Sequence, residues 1–422
     1  MFIIYDLIFL GFAVFCLPVY LLRGKLKAGF LRRLGFLPAL ADWGRPIWIH
    51  AVSVGEVNAV GGLVNRLRSL YPTKKIVIST VTSTGNRIAR GLIAPGDLLT
   101  YLPLDLSFIV RRVLKKINPS IFIIAETEIW PNLIIRLAKM RIPVVTVNGR
   151  ISDNSYRGYR LAKFFIRPIL RQVGQFCVQT DLDARRLVSL GVESSRVQVT
   201  GNVKFDQSLD YSQPDPAAYR AKLWLGDADK LLVCGSTHPQ EEEIILCAYR
   251  ELLNIFPKLK LVLAPRHPER SGKIGRLAQK FCFKPVLISQ IPGACPTCIR
   301  SPVFILDTIG ELFKYYSAAD IVFVGGSLVK KGGHNILEPA SLKKPVIFGP
   351  HMFNFRDISG LFLAHQAALL AKDGRELYAR VKELLDSQLL AKAQTERAYG
   401  LIIRNRGATE KNLGVIKQLY AC

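Results

Sequence analysis

Glu56, Glu126, Glu128 and Lys204 each follow a short apolar run, in HAVSVGE, AETEIWPN and GNVKFD, at points where a buried strand gives way to a loop. A carboxylate in such a place can take a proton from a hydroxyl. Ser53 and Glu56 also carry the spacing of a capping box, in which both side chains serve free amides of a starting helix. The local residues leave both readings open. In an extended backbone Glu126 and Glu128 face one way, beside Trp130 and Pro131, with plain solvation as the alternative.

A second group lies further on. Arg266 and His267 stand in APRHPER, and Ile309, Gly310 and Glu311 in DTIGEL. The stretch GGSLVKKGGHNILEPA leads from a strand through a glycine-rich loop to a helix opening near Asn335 and carrying Ile336, Leu337 and Glu338. Backbone amides of such a loop can approach a phosphate, and a helix start favours its charge. A carboxylate one turn into the helix can accept hydrogen bonds from ribose hydroxyls. The stretch has neither the Gly-Lys-Ser/Thr of a P-loop nor the dinucleotide spacing, and a tight turn with a solvated Glu338 is the simpler alternative. The six histidines are dispersed, and Cys295 and Cys298 form a single close pair, so no metal site is expected.

These residues need a scaffold that gathers strand ends. IWIHA, KKIVIST, SIFIIAE and IPVVTV are β-branched runs, each followed by helical periodicity, which predicts βα units and parallel sheets covered on both faces. After the polar, proline-containing stretch 207–220 the alternation resumes with KLLVCGS, KLKLVLAP, SPVFILDT, DIVFVGGS and KKPVIFG. The expected class is α/β, with two facing doubly wound Rossmann-like domains and ligands beyond the carboxyl ends of the strands. The boundaries are an anchor over 1–23, a first domain over 24–206, a linker over 207–220 and a second domain over 221–422. The last helix is able to pack back on the first domain.

The 422 residues are half apolar, enough for two cores, and the net charge of +26 calls for an anionic partner or surface. Residues 2–22 carry one charge, Asp6, and are long enough to span a bilayer or lie in its interface. Arg23, Lys25, Lys27, Arg32 and Arg33 follow, which places the rest of the chain on the cytoplasmic side and against anionic lipid. A nucleic-acid-binding protein would interleave basic and aromatic residues on one face, a pattern not seen here. Scattered cysteines fit reduced thiols.

In order and spacing, HAVSVGE, ETEIWPN, NGRIS, GNVKFD, PRHPER, GGSLVKKGGHNILEPA and GPHMFNF resemble the Kdo (3-deoxy-D-manno-octulosonic acid) transferases of lipopolysaccharide synthesis. The resemblance runs from the N-terminus to about residue 360. It implies a GT-B glycosyltransferase fold, an acceptor-binding first domain and a CMP-Kdo-binding second domain, a lipid A precursor (lipid IVA) as acceptor, and a place at the inner membrane. It further implies Glu56 as general base, Glu126 and Lys204 as transition-state stabilisers, and CMP contacts from Arg266, His267, Ile309, Gly310, Glu311, Asn335, Ile336, Leu337 and Glu338. The amides around Glu56 would hold it ionised at the expense of basicity. The competing enzyme reading is a GT-B transferase or epimerase acting on a UDP-sugar, which leaves ETEIWPN and GNVKFD unexplained.

Overall fold

The computed structural model describes residues 5–7, 9–11, 29–38, 44–207, 214–291 and 302–421. The chain divides into two compact units, Met1–Gln207 with Asn405–Cys422, and Ser208–Arg404. Each is built on a seven-stranded parallel sheet.

In the first unit the β-branched runs become β1 (Ile47–His50), β2 (Ile76–Thr80), β3 (Leu98–Tyr101), β4 (Ile121–Ala125), β5 (Val144–Gly149), β6 (Gln175–Val178) and β7 (Val197–Val199). Their order is β3-β2-β1-β4-β5-β6-β7, with Ile47 paired to both Ile76 and Ile121. Strand alternation sends Trp48, Phe122 and Phe176 into one apolar layer and Ile47, Ile49 and Ile78 into the other. Burial on both faces is why these runs are continuously apolar. The C-terminal helix Ala408–Ala421 completes the second layer through Leu413, Val415 and Ile416. Its start is fixed by Asp206, which accepts from Gly407 N at 2.7 Å and Thr409 N at 2.6 Å.

The second unit holds β8 (Lys230–Thr237), β9 (Leu259–Pro265), β10 (Lys284–Leu287), β11 (Pro302–Ile305), β12 (Ile321–Val324), β13 (Val346–Phe348) and β14 (Leu369–Leu370), in the order β10-β11-β9-β8-β12-β13-β14. All strands run parallel, and in each sheet the order of strand addition reverses once. The chain moves outward from β1 and returns to β4 on its other side, and likewise from β8 to β12. Crevices for ligands open at such reversals, beyond the carboxyl ends of the two strands concerned.

The N-terminal expectations change in detail. Most of residues 1–23, including Arg23, falls outside the described residues, as do Lys25 and Lys27 and the Cys295–Cys298 pair. Among the described residues no helix is long and apolar enough to cross a membrane. Asp6 is tied into the fold, accepting from Ser107 N at 3.2 Å and from Asn132 Nδ2 at 2.7 Å. Arg33 is no surface cation. It is buried, donates to Val81 O at 2.5 Å and lies 4.6 Å from the Tyr101 ring centroid, because its guanidinium caps the end of β2 from inside the fold.

Candidate active site

The first unit's reversal brings together the ends of β1 and β4. His50, the last residue of β1, is fully buried, with Nδ1 3.0 Å from Ser79 Oγ and 3.1 Å from Ser79 O. Burial pulls its pKa down to about 4, so the imidazole is neutral. The chain then turns, and Ser53 opens the helix Val54–Leu70. Ser53 Oγ does not accept from a helix-start amide as a capping box requires. It donates to Glu56 Oε1 at 3.0 Å, and Glu56 Oε2 accepts from Val52 N at 2.7 Å. The carboxylate thus folds back over the strand end. The helix Ser83–Ala89 seats against this turn through Gly85, where a Cβ would lie 3.2 Å from the Ser53 carbonyl carbon.

Glu56 is only 7% exposed, and burial pushes its pKa up to about 7 against the pull of the Val52 amide; Glu126 and Glu128 push it further. Helix-start amides therefore do not leave Glu56 a weaker base, because desolvation outweighs one amide and one hydroxyl. Glu128 is likewise raised to about 7, by burial and then by Glu126. The three carboxylates form one electrostatic group. Glu126 and Glu128 reach it differently from the extended arrangement expected, since Glu126 has a left-handed backbone, φ 58°, held by its N–H donating to Val147 O at 2.9 Å. Beside them the buried His50 Nε2 and Trp130 Nε1 have no hydrogen-bond partner, their rings 6.3 Å apart edge to face.

The NGR and GNVKFD segments close the same end of the sheet. Arg150 N donates to Thr127 Oγ1 at 3.0 Å, tying the end of β5 to the loop after β4. Asn148 Oδ1 accepts from Val203 N at 3.2 Å, and Asn202 Oδ1 from Lys204 N at 3.0 Å, which begins the short helix Lys204–Gln207. Asp105, which the sequence reading missed, accepts from Asn132 N at 3.0 Å and Leu133 N at 2.9 Å and so fixes the helix Pro131–Lys139 after ETEIW. A buried Asp two residues past a proline, in YLPLDL, was the only local sign of it.

In the second unit Arg266 and His267 follow β9, Ile309, Gly310 and Glu311 follow β11, and Asn335, Ile336, Leu337 and Glu338 follow β12. Arg266 and His267 are exposed, as is Ile309 at 86%. Gly310 has φ 85°, and Thr308 Oγ1 donates to Glu311 Oε2 at 2.5 Å. Ile336 and Leu337 are buried and serve as packing, with only their backbone available to a ligand. Asn335 Oδ1 accepts from Leu337 N and its Nδ2 donates to Glu338 Oε1, both at 3.1 Å. Burial raises the Glu338 pKa, while Asn335 and Arg266 lower it. The helix there is only Leu337–Ser341, so its dipole is small, and any anion must be met by side chains and loop amides.

Two groups here escaped the sequence reading. His238 and His334 stack 5.2 Å apart with their Nε2 atoms 2.9 Å from each other, and His267 stands edge-on to His238 at 6.2 Å. Burial comes first for both; His267 and nearby cations then lower His238, and His238, Arg266 and His267 lower His334, each to about 4. One neutral ring must donate to the other. Glu241, fully buried, accepts from four amides: His238 and Gly326 on Oε2 at 2.9 and 2.7 Å, Ser327 and Leu328 on Oε1 at 2.9 and 2.8 Å. Glu242 grips Arg270 of PRHPER at 2.8 Å. The unusual triple glutamate after THPQ was the available signal.

Among the described residues no group of three His, Cys, Asp or Glu is arranged to hold a metal. In the Asp-x-Asp pairs Asp181/Asp183 and Asp227/Asp229, the second member serves the backbone, Asp183 accepting from Ile151 N at 2.9 Å and Asp229 from Gly226 N at 2.8 Å.

The family model described as 3-deoxy-D-manno-octulosonic-acid transferase (kdotransferase) matches residues 28–207. The 3-deoxy-D-manno-octulosonic acid transferase of Haemophilus influenzae is 36% identical over 88% of this chain and 86% of its own. That of Chlamydophila psittaci is 35% identical over 81% and 78%. Among solved structures, a putative UDP-N-acetylglucosamine 2-epimerase from Listeria monocytogenes, 13% identical, superposes with a TM-score of 0.59 over 90% of this chain and 97% of its own, a likeness of fold alone. With two parallel α/β sheets and this identity along most of its length, the chain belongs to the Kdo transferase family.

Proposed function

We propose that this transferase moves Kdo from CMP-Kdo to a hydroxyl of a lipid A precursor, lipid IVA, at the cytoplasmic face of the inner membrane, with Glu56 as the base. The observation that carries this is the state of Glu56: buried at the β1–β4 reversal, held by two hydrogen bonds, and raised to about 7. A base with that pKa is about half deprotonated at neutral pH and stronger than an ordinary carboxylate. As the acceptor oxygen bonds to the anomeric carbon, its proton passes to Glu56. The bond from that carbon to the CMP phosphate oxygen breaks, and CMP leaves with the electron pair. CMP needs no protonation to depart, so no paired acid is required, in contrast to glycosidases.

Glu126, in electrostatic reach of Glu56, offsets positive charge at the anomeric centre. Lys204 balances the Kdo carboxylate or the departing phosphate. Arg266, His267, Asn335 and Glu338, with the backbone at Ile309–Glu311 and Ile336–Leu337, hold CMP. The neutral His238–His334 pair offers a donor to an anion without adding charge to a site already cationic through Arg266, Arg270 and Lys331. The basic surplus favours a membrane-bound, phosphorylated acceptor. Mass spectrometry of lipid IVA incubated with CMP-Kdo and the full chain tests this: a product heavier by Kdo with release of CMP supports it, and no CMP release in the presence of acceptor refutes it.

A further inference from the structure

The two most exposed large apolar side chains among those described are Phe164 at 96% and Leu161 at 90%. They lie on either side of Ala162, where the helix Asp153–Leu161 meets the helix Lys163–Leu170. Their exposure is not looseness. Tyr156, Tyr159 and Phe165 turn inward onto the first unit's apolar layer, and Ile166, Ile169 and Leu170 are buried in it. Arg186 pairs with Asp153, and Tyr156 OH lies 2.9 Å from Ser189 Oγ, so the hairpin is fastened at its base. Its tip is held outward.

The charge around that tip has one sign. Between Asp153 and Asp181 the sequence carries Arg157, Arg160, Lys163, Arg167 and Arg171 and no acid, and all five are exposed. Lys163, Phe164, Arg167 and Arg171 share one shallow groove with Pro168 and Gln172. Tyr5 stacks on Phe165 with centroids 6.1 Å apart, so the start of the N-terminal apolar run lies beside this hairpin, and it exposes Leu7 and Leu10 in turn.

We infer that the Arg157–Arg171 hairpin is the surface by which the first unit docks on an anionic lipid bilayer, with Leu161 and Phe164 entering the headgroup–acyl boundary and the five cations meeting lipid phosphates. Apolar residues at the tip of a basic helical element suit that interface. A second copy of the chain is the poorer occupant, because a two-fold contact through this patch would set its cations against themselves. The inference rests on the lipid-acceptor reading for its purpose, but its test does not use turnover as the deciding measurement.

Amide hydrogen exchange of the full chain is measured with phosphatidylcholine vesicles, with and without phosphatidylglycerol. Exchange across 157–167 slows on the anionic vesicles alone, and the slowing fades at high salt. In the double variant Leu161→Ser/Phe164→Ser that slowing is lost and vesicle affinity falls by about tenfold or more, while melting temperature, CMP binding and turnover of detergent-dispersed acceptor stay as they were. Both side chains face solvent, so the fold does not depend on them. Unchanged exchange on anionic vesicles overturns the inference, as does equal protection in the double variant. Protection that appears without lipid as protein concentration rises overturns it in favour of self-association. If the wild type transfers no Kdo, the activity reading fails while the vesicle result still stands.

Discussion

Glu56 and Glu241 occupy matching places, each at the start of the helix that follows the first strand of its sheet, at the point where the sheet reverses. Both are buried and both are pushed upward in pKa by that burial. Their partners differ. Glu241 accepts from four backbone amides and has its oxygens occupied in holding the Gly326–Leu328 loop. Glu56 has one amide and one hydroxyl, with two further carboxylates near it. A buried carboxylate given a full set of donors becomes a fastener, and one given a partial set keeps lone pairs for a proton.

On that contrast, Glu56→Gln lowers the rate of Kdo transfer by roughly two to four orders of magnitude and leaves CMP affinity unchanged in calorimetry. A folded variant with full activity would return Glu56 to a capping role. Glu241→Ala should do the reverse. Four buried amides lose their acceptor, so denaturant unfolding shows at least about 3 kcal/mol less stability and CMP binding weakens, with Glu241→Gln intermediate. Stability equal to the parent in Glu241→Ala would end the idea that this carboxylate organises the glycine loop.

A third variant, Arg266→Ala, probes the unit that Glu241 braces. Loss of a charge-assisted contact to the nucleotide phosphate is worth about 1.5–3 kcal/mol, or roughly ten- to a hundredfold in CMP affinity. Unchanged CMP affinity would move the nucleotide away from β9. The smallest effect is the pH limb. Transfer should rise with pH through an apparent pKa near 7, the value shared by Glu56 and Glu128, which titrate as a coupled group. Glu128→Gln removes one like charge and should move the limb to lower pH by less than about one unit; a limb that stays in place would uncouple the two. The same shifts act on stability. Between the ordinary 4.5 and about 7 the folded chain holds protons that the unfolded chain releases, so Glu56 and Glu128 make the fold less stable as pH rises through that window.

Much of the scaffold was legible in local text. KKIVIST, SIFIIAE and KLLVCGS carry continuous apolar runs, and each became a strand, because strands buried on both faces need apolar residues at every position. Strands of two to four residues at the sheet edges, such as Leu369–Leu370 and Lys284–Leu287, were not legible, since so few residues show no period. Arg33 and Asp6 read from their neighbours only as charges in or beside an apolar run, and their partners at Val81, Ser107 and Asn132, 48 to 126 positions away, were not legible.

The sequence by itself determined the α/β class, the family motifs and the residue types at each strand end, because these follow from periodicity and from side-chain chemistry over a few positions. Only the tertiary structure decided what those residues became. Strand order set Glu56 beside Glu126 and Glu128, and that burial moved its pKa to about 7. Residues 85 positions apart made Glu241 the clamp of the Gly326 loop. A pKa and a hydrogen-bond set depend on everything within a few ångströms, and in a doubly wound sheet those neighbours come from strands far apart in the chain.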